Sequence, residues 1–195
     1  MILSSSHLPN FLEGSEFSKL SQVGMDLSIA RINQINSHCL TPEDKLLINW
    51  SAVLTDSTYI APETYTPVEI EDFYEELFFH YIPKDLTNNK PKYGFYLEPG
   101  YYDFQFNENI TLDECHTGIL FQRSSLARMG VIFSKSIFDP GFSTQGKGIG
   151  TSVYVHNHIF LELNSRVGQM VIFENHPTEK YQGQFFGEKQ REFLK

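Results

Sequence analysis

The segment RSSLAR, residues 123–128, places two arginines around two serines in a chain with a formal net charge of −9. An arginine guanidinium is a planar fork of donors that suits phosphate oxygens, and a serine hydroxyl adds a short donor. Residues 125–130, SLARMG, could begin a short helix whose first N–H groups also favour an anion. On residue chemistry alone, the same residues are more typical of a surface helix that begins at a serine cap. Alone, the segment therefore indicates either an anion site or an ordinary helix start.

The segment DPGF, residues 139–142, offers a single acid before a rigid turn. Asp139 could orient or deprotonate a water molecule from such a position. Asp-Pro-Gly is also a common turn sequence, with Phe142 as a core residue. Both interpretations remain open from these residues alone.

Two further places have polar groups that could contact a ligand. Gln169 opens the apolar strand VGQMVIF, and the tail segment KYQGQ contains Tyr181 and Gln184. A glutamine at a strand end is usually structural, and surface tails often have this composition. The sequence contains no GxxxxGK[ST] loop, no GxGxxG, no zinc-deaminase pattern and no GxSxG elbow.

The elements that must position these residues are predicted to be mainly strands. Alternating apolar and polar residues over 25–35 indicate a strand. From residue 93 onward, short candidate strands follow one another between Gly, Asn and Pro, which is the pattern of a β-barrel or sandwich. Seventeen Phe and ten Tyr suit strands better than helices. A short helix is predicted near residues 11–20.

One helical segment interrupts this β framework. In residues 68–80, acidic and aromatic side chains recur at helical spacing directly after Pro67. We expect a single domain over 1–195, with residues 36–92 as an insertion that contains this helix. The residues 176–195 are expected to form a flexible tail.

Composition argues against several classes of function. The net charge of −9 disfavours a broad nucleic-acid surface, and no run reaches the roughly 20 apolar residues that span a bilayer. The first residues lack the pattern of a signal peptide. Neither cysteine lies in a CxxC pair, and His156 and His158 lack a third ligand nearby, so no protein metal site is expected. We therefore expect a soluble cytoplasmic protein.

The motifs RSSLARMG, FDPGF, VGQMVIF and KYQGQ, in this order and at these spacings, resemble the dCTP deaminase branch of the dUTPase superfamily. VGMDLSI resembles its early strand motif, and YLEPGYYDFQFNENITL resembles its Pro-Gly hairpin and the next strand. The resemblance covers about residues 21–35 and 93–187. It implies a dUTPase-like distorted β-barrel or jelly roll that forms a homotrimer, with active sites between subunits for dCTP or dUTP.

The resemblance also implies roles for the phosphate side of the site. Arg123, Ser124 and Ser125 would hold the triphosphate, and Arg128 would lie beside the reacting centre. Asp139 would contact the deoxyribose 3′-hydroxyl and, in dUTPase chemistry, activate water. A Mg²⁺ would be held through the triphosphate and water rather than by protein ligands.

On the sugar and base side, the resemblance places Phe142 under the deoxyribose, where it would exclude a 2′-hydroxyl. Backbone groups of the hairpin around 150–157 would read the base. The remaining residues expected to bind the nucleotide are Ser152, Val153, Tyr154, Gln169, Tyr181 and Gln184.

One position departs from the deaminase pattern. Deaminases of this family carry a catalytic Glu three residues before an Asn, in a strand shortly after the DPG turn. The equivalent strand here is TSVYVHN, in which that place is held by Tyr154. A phenol with a pKa of about 10 is a poor general base at neutral pH. We therefore expect an enzyme that hydrolyses the diphosphate of dUTP or dCTP rather than one that deaminates. The alternative is a catalytically degenerate nucleotide sensor on the same fold.

Overall fold

The structure is a computed structural model that describes residues 1–4, 6–35, 57–70, 90–177 and 179–180. The described part contains fourteen strands, a 3₁₀ turn at Leu8–Asn10, a helical turn at 67–70 and the short helix α1, Ser124–Arg128. The strands before α1 are β1 Leu12–Glu13, β2 Lys19–Leu20, β3 Met25–Ile35, β4 Ser57–Ile60, β5 Glu63–Tyr65, β6 Lys92–Leu97, β7 Gly100–Phe106, β8 Asn109–Ile110 and β9 His116–Gln122. Those after it are β10 Val131–Phe133, β11 Ser136–Phe138, β12 Gly150–Val155, β13 Ile159–Glu162 and β14 Arg166–Glu174. The mainly β fold predicted from the sequence is confirmed.

Strand β3 joins two halves of the main sheet. Its first residues pair with β2 and β14, and its later residues pair with β4 and β7. The path across the main sheet is β10-β12-β7-β3-β14-β9-β11. A bulge between Ile29 and Arg31 marks the place where β3 passes from one half to the other. A strand shared in this way lets the sheet curl around a common core.

The core lies inside this curl and is rich in aromatic and branched side chains. Phe104 and Phe106 of β7 pack against Phe133 of β10, with ring centroids 5.9 and 6.3 Å apart. Leu126 of α1 is also buried in the core, so it anchors that short helix to the sheet. The site residues that flank α1 are therefore held by a packed framework.

The described part of the predicted insertion is attached to the β framework by two strands. β4 adds to the edge of β3, and β5 extends a second, three-stranded sheet of order β13-β6-β5. Residues 67–70 are helical. The preceding Thr66 exchanges side-chain and backbone hydrogen bonds with Glu69, which is a capping box. The remainder of the helix predicted over 68–80 lies outside the described residues.

The helix predicted near residues 11–20 is wrong. This region forms β1, a turn and β2 instead. Ser15 donates a hydrogen bond to the buried Glu108 at 2.5 Å, and its hydroxyl lies 3.1 Å from that of Ser28. These tertiary contacts outweigh a weak local helix preference.

No helix in the described ranges is long and apolar enough to cross a membrane.

Candidate functional site

Arg123 lies where strand β9 ends and α1 begins. Its backbone N–H donates to the carbonyl of Val167 at 3.1 Å, and its guanidinium donates to the carbonyl of Arg166 at 3.2 Å. The Arg123 Nε lies 3.6 Å from a carboxylate oxygen of Asp26. The guanidinium is thus fixed at the strand end while 37% of the side chain stays exposed.

Helix α1 differs from the serine-capped helix considered as the plainer interpretation. Arg123 is itself the cap residue, with extended backbone angles, and its side chain makes no capping hydrogen bond within the described residues. Ser124, Ser125 and Arg128 are exposed on the helix surface. Their side chains therefore remain available to a ligand.

Asp26 is a site residue that the sequence interpretation missed. It is only 8% exposed, and its Oδ2 lies 3.6 Å from Arg123 and 3.8 Å from Arg166 Nη1. One buried carboxylate is thus shared by two guanidiniums, which leaves net positive charge at this end of the sheet. The motif around Asp26 was recognised, but its cationic partners are far away in sequence, so no local pattern could have indicated the pairing.

Gln169 lies in the same region as Arg123. In β14 it stands between Asp26 of β3 and Phe121 of β9. Its Nε2 donates to the hydroxyl of Ser21 at 2.8 Å. The structure therefore brings Arg123 and Gln169 together at one end of the sheet. Asp26 lies beside them on β3, the strand between β2 and β14.

Asp139 lies in a tight turn directly after β11. The N–H of Phe142 donates to the carbonyl of Asp139 at 3.0 Å, and Gly141 has a φ of +80°, which a type II turn requires at that position. Phe142 packs against Phe138 with ring centroids 5.3 Å apart. The Asp139 carboxyl is exposed on this rigid turn.

The two halves of the predicted site are not adjacent within one chain. Phe138 of β11 pairs with Gly118 near the start of β9, and β11 runs antiparallel to β9. Arg123 lies five residues beyond Gly118. At about 3.4 Å per residue, Arg123 is therefore about 17 Å along the strand from Gly118. Asp139 and Arg123 therefore lie at opposite ends of β9.

Tyr154 lies on the outward face of β12, directly opposite Ile132 of β10 and Tyr101 of β7. Its ring packs on Tyr101 at a centroid distance of 4.9 Å and lies 6.3 Å from that of His156. The side chain of its neighbour Val153 is 1% exposed and belongs to the core. Val153 can therefore offer a ligand only backbone groups, whereas Ser152 and Tyr154 point outward.

A second buried acid also escaped the sequence interpretation. Asp103 of β7 is 4% exposed and lies directly opposite Ser152 of β12 and Asn33 of β3. Burial raises the pKa of Asp103 to about 6, while hydrogen bonding from Gln105, the nearby Asn33 and the charge of Arg31 oppose that rise. The sequence of β7 alternates, with aromatic residues facing the core. This pattern did not indicate that the outward face of the strand is buried as well.

Within the described ranges, no group of three or more His, Cys, Asp and Glu side chains is placed to hold a metal ion. His158 Nδ1 lies 2.6 Å from the hydroxyl of Tyr96, and His156 is exposed. Tyr181 and Gln184 of the predicted tail contacts lie outside the described residues.

Comparison with curated proteins gives matches over about half of the chain. A probable deoxyuridine 5′-triphosphate nucleotidohydrolase of Aeropyrum pernix is 37% identical over 94 residues, which cover 47% of this chain and 58% of that protein. A protein of the same description from Halobacterium salinarum is 31% identical over 93 residues, covering 48% and 54% respectively. The chain thus spans a little over half the length of these curated relatives.

The fold is also found in a solved structure, that of 2′-deoxycytidine 5′-triphosphate deaminase from Agrobacterium tumefaciens. The TM-score is 0.54 at 13% identity, and the match covers 90% of this chain and 48% of that chain. This likeness confirms the predicted type of β fold. A family model described as dCTP deaminase-like matches residues 59–175, more than half of the 195 residues. The chain belongs to the dCTP deaminase-like family.

Proposed function

We propose that this protein hydrolyses a deoxypyrimidine nucleoside triphosphate, dUTP in the first place, to the monophosphate and diphosphate. The observation that carries the proposal is the fixed guanidinium of Arg123. It is held by Asp26 and by the carbonyl of Arg166, yet it remains partly exposed at a strand end. A preorganised guanidinium of this kind suits bidentate binding of phosphate oxygens. The curated relatives described as dUTP nucleotidohydrolases support dUTP as the substrate.

In the proposed phosphate site, Arg123 binds the triphosphate together with the hydroxyls of Ser124 and Ser125. Gln169 adds an amide donor from the neighbouring strand. Arg128, exposed at the end of α1, stabilises negative charge near the reacting phosphorus. Clamping the triphosphate in one orientation favours in-line attack, because the reactants no longer lose that orientational freedom in the transition state.

Asp139 is the proposed general base. Its carboxyl is exposed on a turn that Pro140 and Gly141 make rigid, so it can hold a water molecule in one direction. The carboxylate accepts a proton from that water, and the resulting hydroxide attacks the α-phosphorus. The bond to the bridging oxygen breaks, and diphosphate leaves.

The donor chemistry fits a Mg²⁺ that is carried by the substrate. The described residues form no acidic cluster that could enclose the ion, and Asp26 is occupied by two arginines. Phosphate oxygens and water would therefore be its ligands, and the ion would supply charge neutralisation on the triphosphate.

The sugar and base would lie beside Phe142 and the β12 hairpin. Phe142, packed against Phe138, would close the space beneath the deoxyribose. Ser152, Val153 and Tyr154 would contact the base, Val153 through its backbone alone. Tyr181 and Gln184 of the tail would close over the bound nucleotide.

A homotrimer with sites between subunits would solve the separation of Arg123 and Asp139. One subunit would supply the Arg123 end of its β9, and a neighbour would supply the Asp139 turn. Mixing Arg123→Ala and Asp139→Asn subunits by joint refolding tests this arrangement. Each variant alone should be inactive, and an equal mixture should recover about a quarter of the wild-type rate. A site is complete only when one subunit supplies an intact Arg123 and its neighbour supplies an intact Asp139, and each condition holds for about half of the subunits. A mixture with no recovered activity would contradict shared sites.

The activity itself is tested by incubating the protein with dUTP or dCTP and Mg²⁺ and measuring diphosphate release. Asp139→Asn should lower the rate at least about 100-fold, because general-base terms are of that size, while nucleotide still binds in calorimetry. Glu98→Gln, an exposed acid on another turn, is the matched control. Hydrolysis that survives Asp139→Asn would rule out Asp139 as the base.

A second candidate, a nucleotide-binding sensor without turnover, is favoured by one observation. The outward position of β12 where deaminases carry a carboxylate holds the ring of Tyr154, packed on Tyr101. Calorimetry that shows tight binding of dUTP or dCTP, with no diphosphate and no ammonia released, would favour this candidate.

A further inference from the structure

Lys19 of β2 lies at the same end of the main sheet as the proposed phosphate site. It stands directly opposite Asp26 of β3, and Asp26 stands directly opposite Gln169 of β14. Residues directly opposite one another in antiparallel strands have their side chains on the same face, with Cβ atoms about 5 Å apart. Lys19, Asp26 and Gln169 therefore form one row across three strands. Arg123 contacts the middle member of this row, Asp26, at 3.6 Å.

Strand β2 is anchored at both ends. After the strand, the N–H of Ser21 donates to the carbonyl of Gly24 at 2.8 Å, which closes a tight turn into β3. The hydroxyl of Ser21 accepts a hydrogen bond from Gln169 Nε2 at 2.8 Å. Before the strand, the N–H of Ser18 donates to the carbonyl of Ser15 at 3.2 Å. The backbone of β2 therefore holds a fixed position beside β3 and β14.

The charge of Asp26 is compensated by cations other than Lys19. Its Oδ2 lies 3.6 Å from Arg123 Nε and 3.8 Å from Arg166 Nη1, and Asp26 is only 8% exposed. Lys19 is exposed, and its ammonium makes no ion pair and no hydrogen bond with any residue that the structure describes. Three cations and one carboxylate give this group a formal net charge of +2. In a chain with a net charge of −9, such a local excess of positive charge suits an anionic ligand.

An ordinary surface role accounts poorly for Lys19. A lysine directly across an antiparallel pair from an acid is placed to form a cross-strand ion pair with it. Here the acid is nearly buried and faces two arginines instead, so the ammonium of Lys19 is left without that partner. A compact ammonium on a flexible stem has three donors for anionic oxygens.

The order of the strands indicates the direction in which a bound triphosphate extends. β2 and β14 lie on opposite sides of β3, and β9 lies beyond β14, with neighbouring strands about 4.8 Å apart. Arg128 at the end of α1 is the residue proposed to lie near the reacting α-phosphorus. The guanidinium of Arg123 extends from the end of β9 back to Asp26 of β3. A triphosphate that starts near α1 and follows this guanidinium has its terminal phosphate on the β2 side.

We propose that Lys19 binds the terminal phosphate of the nucleotide and gives the site its preference for triphosphates over diphosphates. The inference rests on the proposed phosphate site. The terminal phosphate carries the largest share of the negative charge of a triphosphate, and a diphosphate bound at Arg123 and α1 ends before it reaches β2. Lys19 is thus a specificity residue that acts in binding and takes no part in the chemical step.

The test measures binding by calorimetry with Mg²⁺ for two ligands, the non-hydrolysable α,β-imido analogue of dUTP and dUDP. Lys19→Gln should weaken binding of the analogue about tenfold, because one hydrogen bond between charged groups is lost, and should change the affinity for dUDP by less than about twofold. Lys19→Arg keeps the charge and should retain most of the affinity. The matched control is Lys90→Gln, which removes an exposed lysine that precedes β6 in the second sheet.

Two results would overturn the inference while the proposed function stands. One is that Lys19→Gln binds the dUTP analogue as tightly as the wild type does. The other is that it weakens the analogue and dUDP equally, since Lys19 would then act on any anion in the site.

A titration with inorganic triphosphate, which has no sugar or base, separates the two proposals. If the wild type binds inorganic triphosphate but neither nucleotide, and Lys19→Gln weakens that binding about tenfold, the role of Lys19 stands while dUTP falls as the substrate. If the wild type binds none of the three ligands, both proposals fall.

Discussion

Replacing Asp103 by asparagine should make the protein more stable at neutral pH. The folded state raises the pKa of this carboxyl from 3.8 to about 6, chiefly through burial. The folded protein therefore binds this proton more tightly than the unfolded chain does. Its contribution to stability is fully present below pH 3.8, decreases as the pH rises between 3.8 and about 6, and is lost above pH 6.

The size of the effect follows from the same pKa values. The difference between 3.8 and about 6 is about 2.2 pH units, and each unit corresponds to about 1.36 kcal/mol. The ionised carboxyl thus costs about 3 kcal/mol of unfolding free energy at pH 7.5. Asparagine carries no charge and retains a carbonyl acceptor for Gln105. We expect Asp103→Asn to gain about 2–3 kcal/mol at pH 7.5, which corresponds to about 5–10 °C in Tm for a chain of this size.

Urea denaturation of the wild type, Asp103→Asn and the exposed-site control Glu98→Gln at pH 4.5, 6 and 7.5 measures this difference. The gain of Asp103→Asn should shrink as the pH falls, because the wild-type carboxyl becomes protonated. Glu98→Gln should stay within about 0.5 kcal/mol of the wild type. A loss of stability in Asp103→Asn at pH 7.5, or a gain that is independent of pH, would refute the reasoning.

Three further predictions concern stability and binding. Glu108→Gln should destabilise the fold by about 1–3 kcal/mol in urea denaturation. The hydroxyls of Ser15 and Ser28 and the N–H of Ser28 donate to the buried carboxylate, and the new amide N–H₂ would face some of these donors. Equal stability would show that water accepts the hydrogen bonds instead. Gly141→Ala should lower the Tm more than Gly146→Ala. Both glycines have φ near +80°, and alanine in this backbone conformation costs about 1–2 kcal/mol at either position. At Gly141 the new Cβ would also lie 2.9 Å from the Cβ of Lys180, whereas at Gly146 it would meet no atom within 4 Å. Asp26→Asn should raise the KM for dUTP about tenfold with a smaller change in kcat, because Arg123 loses a charged partner; an unchanged KM would mean that Arg123 is positioned by the carbonyl of Arg166 alone.

Local sequence patterns were sufficient to predict much of the β framework. The alternating run at 25–35 forms β3 with the predicted limits. Two strands, β6 and β7, also flank Pro99 as predicted, but they lie in different sheets and do not form the expected hairpin. The short helix expected to begin with SLARMG is also found, as α1, which begins one residue earlier at Ser124. These features depend on residues that are close in sequence, through strand periodicity and turn residues. They can therefore be predicted without knowing the fold.

The parts that could not be predicted depend on partners remote in sequence. The error at 11–20 arose because Ser15 bonds to Glu108, far along the chain. The pairing of Asp26 with Arg123 has the same character. The relation between Arg123 and Asp139 depends on the antiparallel register of β9 and β11, which no motif specifies. A motif can identify two halves of a site without showing whether one chain joins them.

The length of β9 has a consequence for how activity would depend on concentration. The proposed phosphate clamp lies at one end of this strand and the proposed base about 17 Å away. An isolated protomer would therefore supply one part of each of two sites and would contain no complete site. Specific activity per chain should then decrease on dilution, following the dissociation of the assembly. Nucleotide that bridges two subunits would oppose this dissociation, so substrate would act as a cross-link between the chains that convert it.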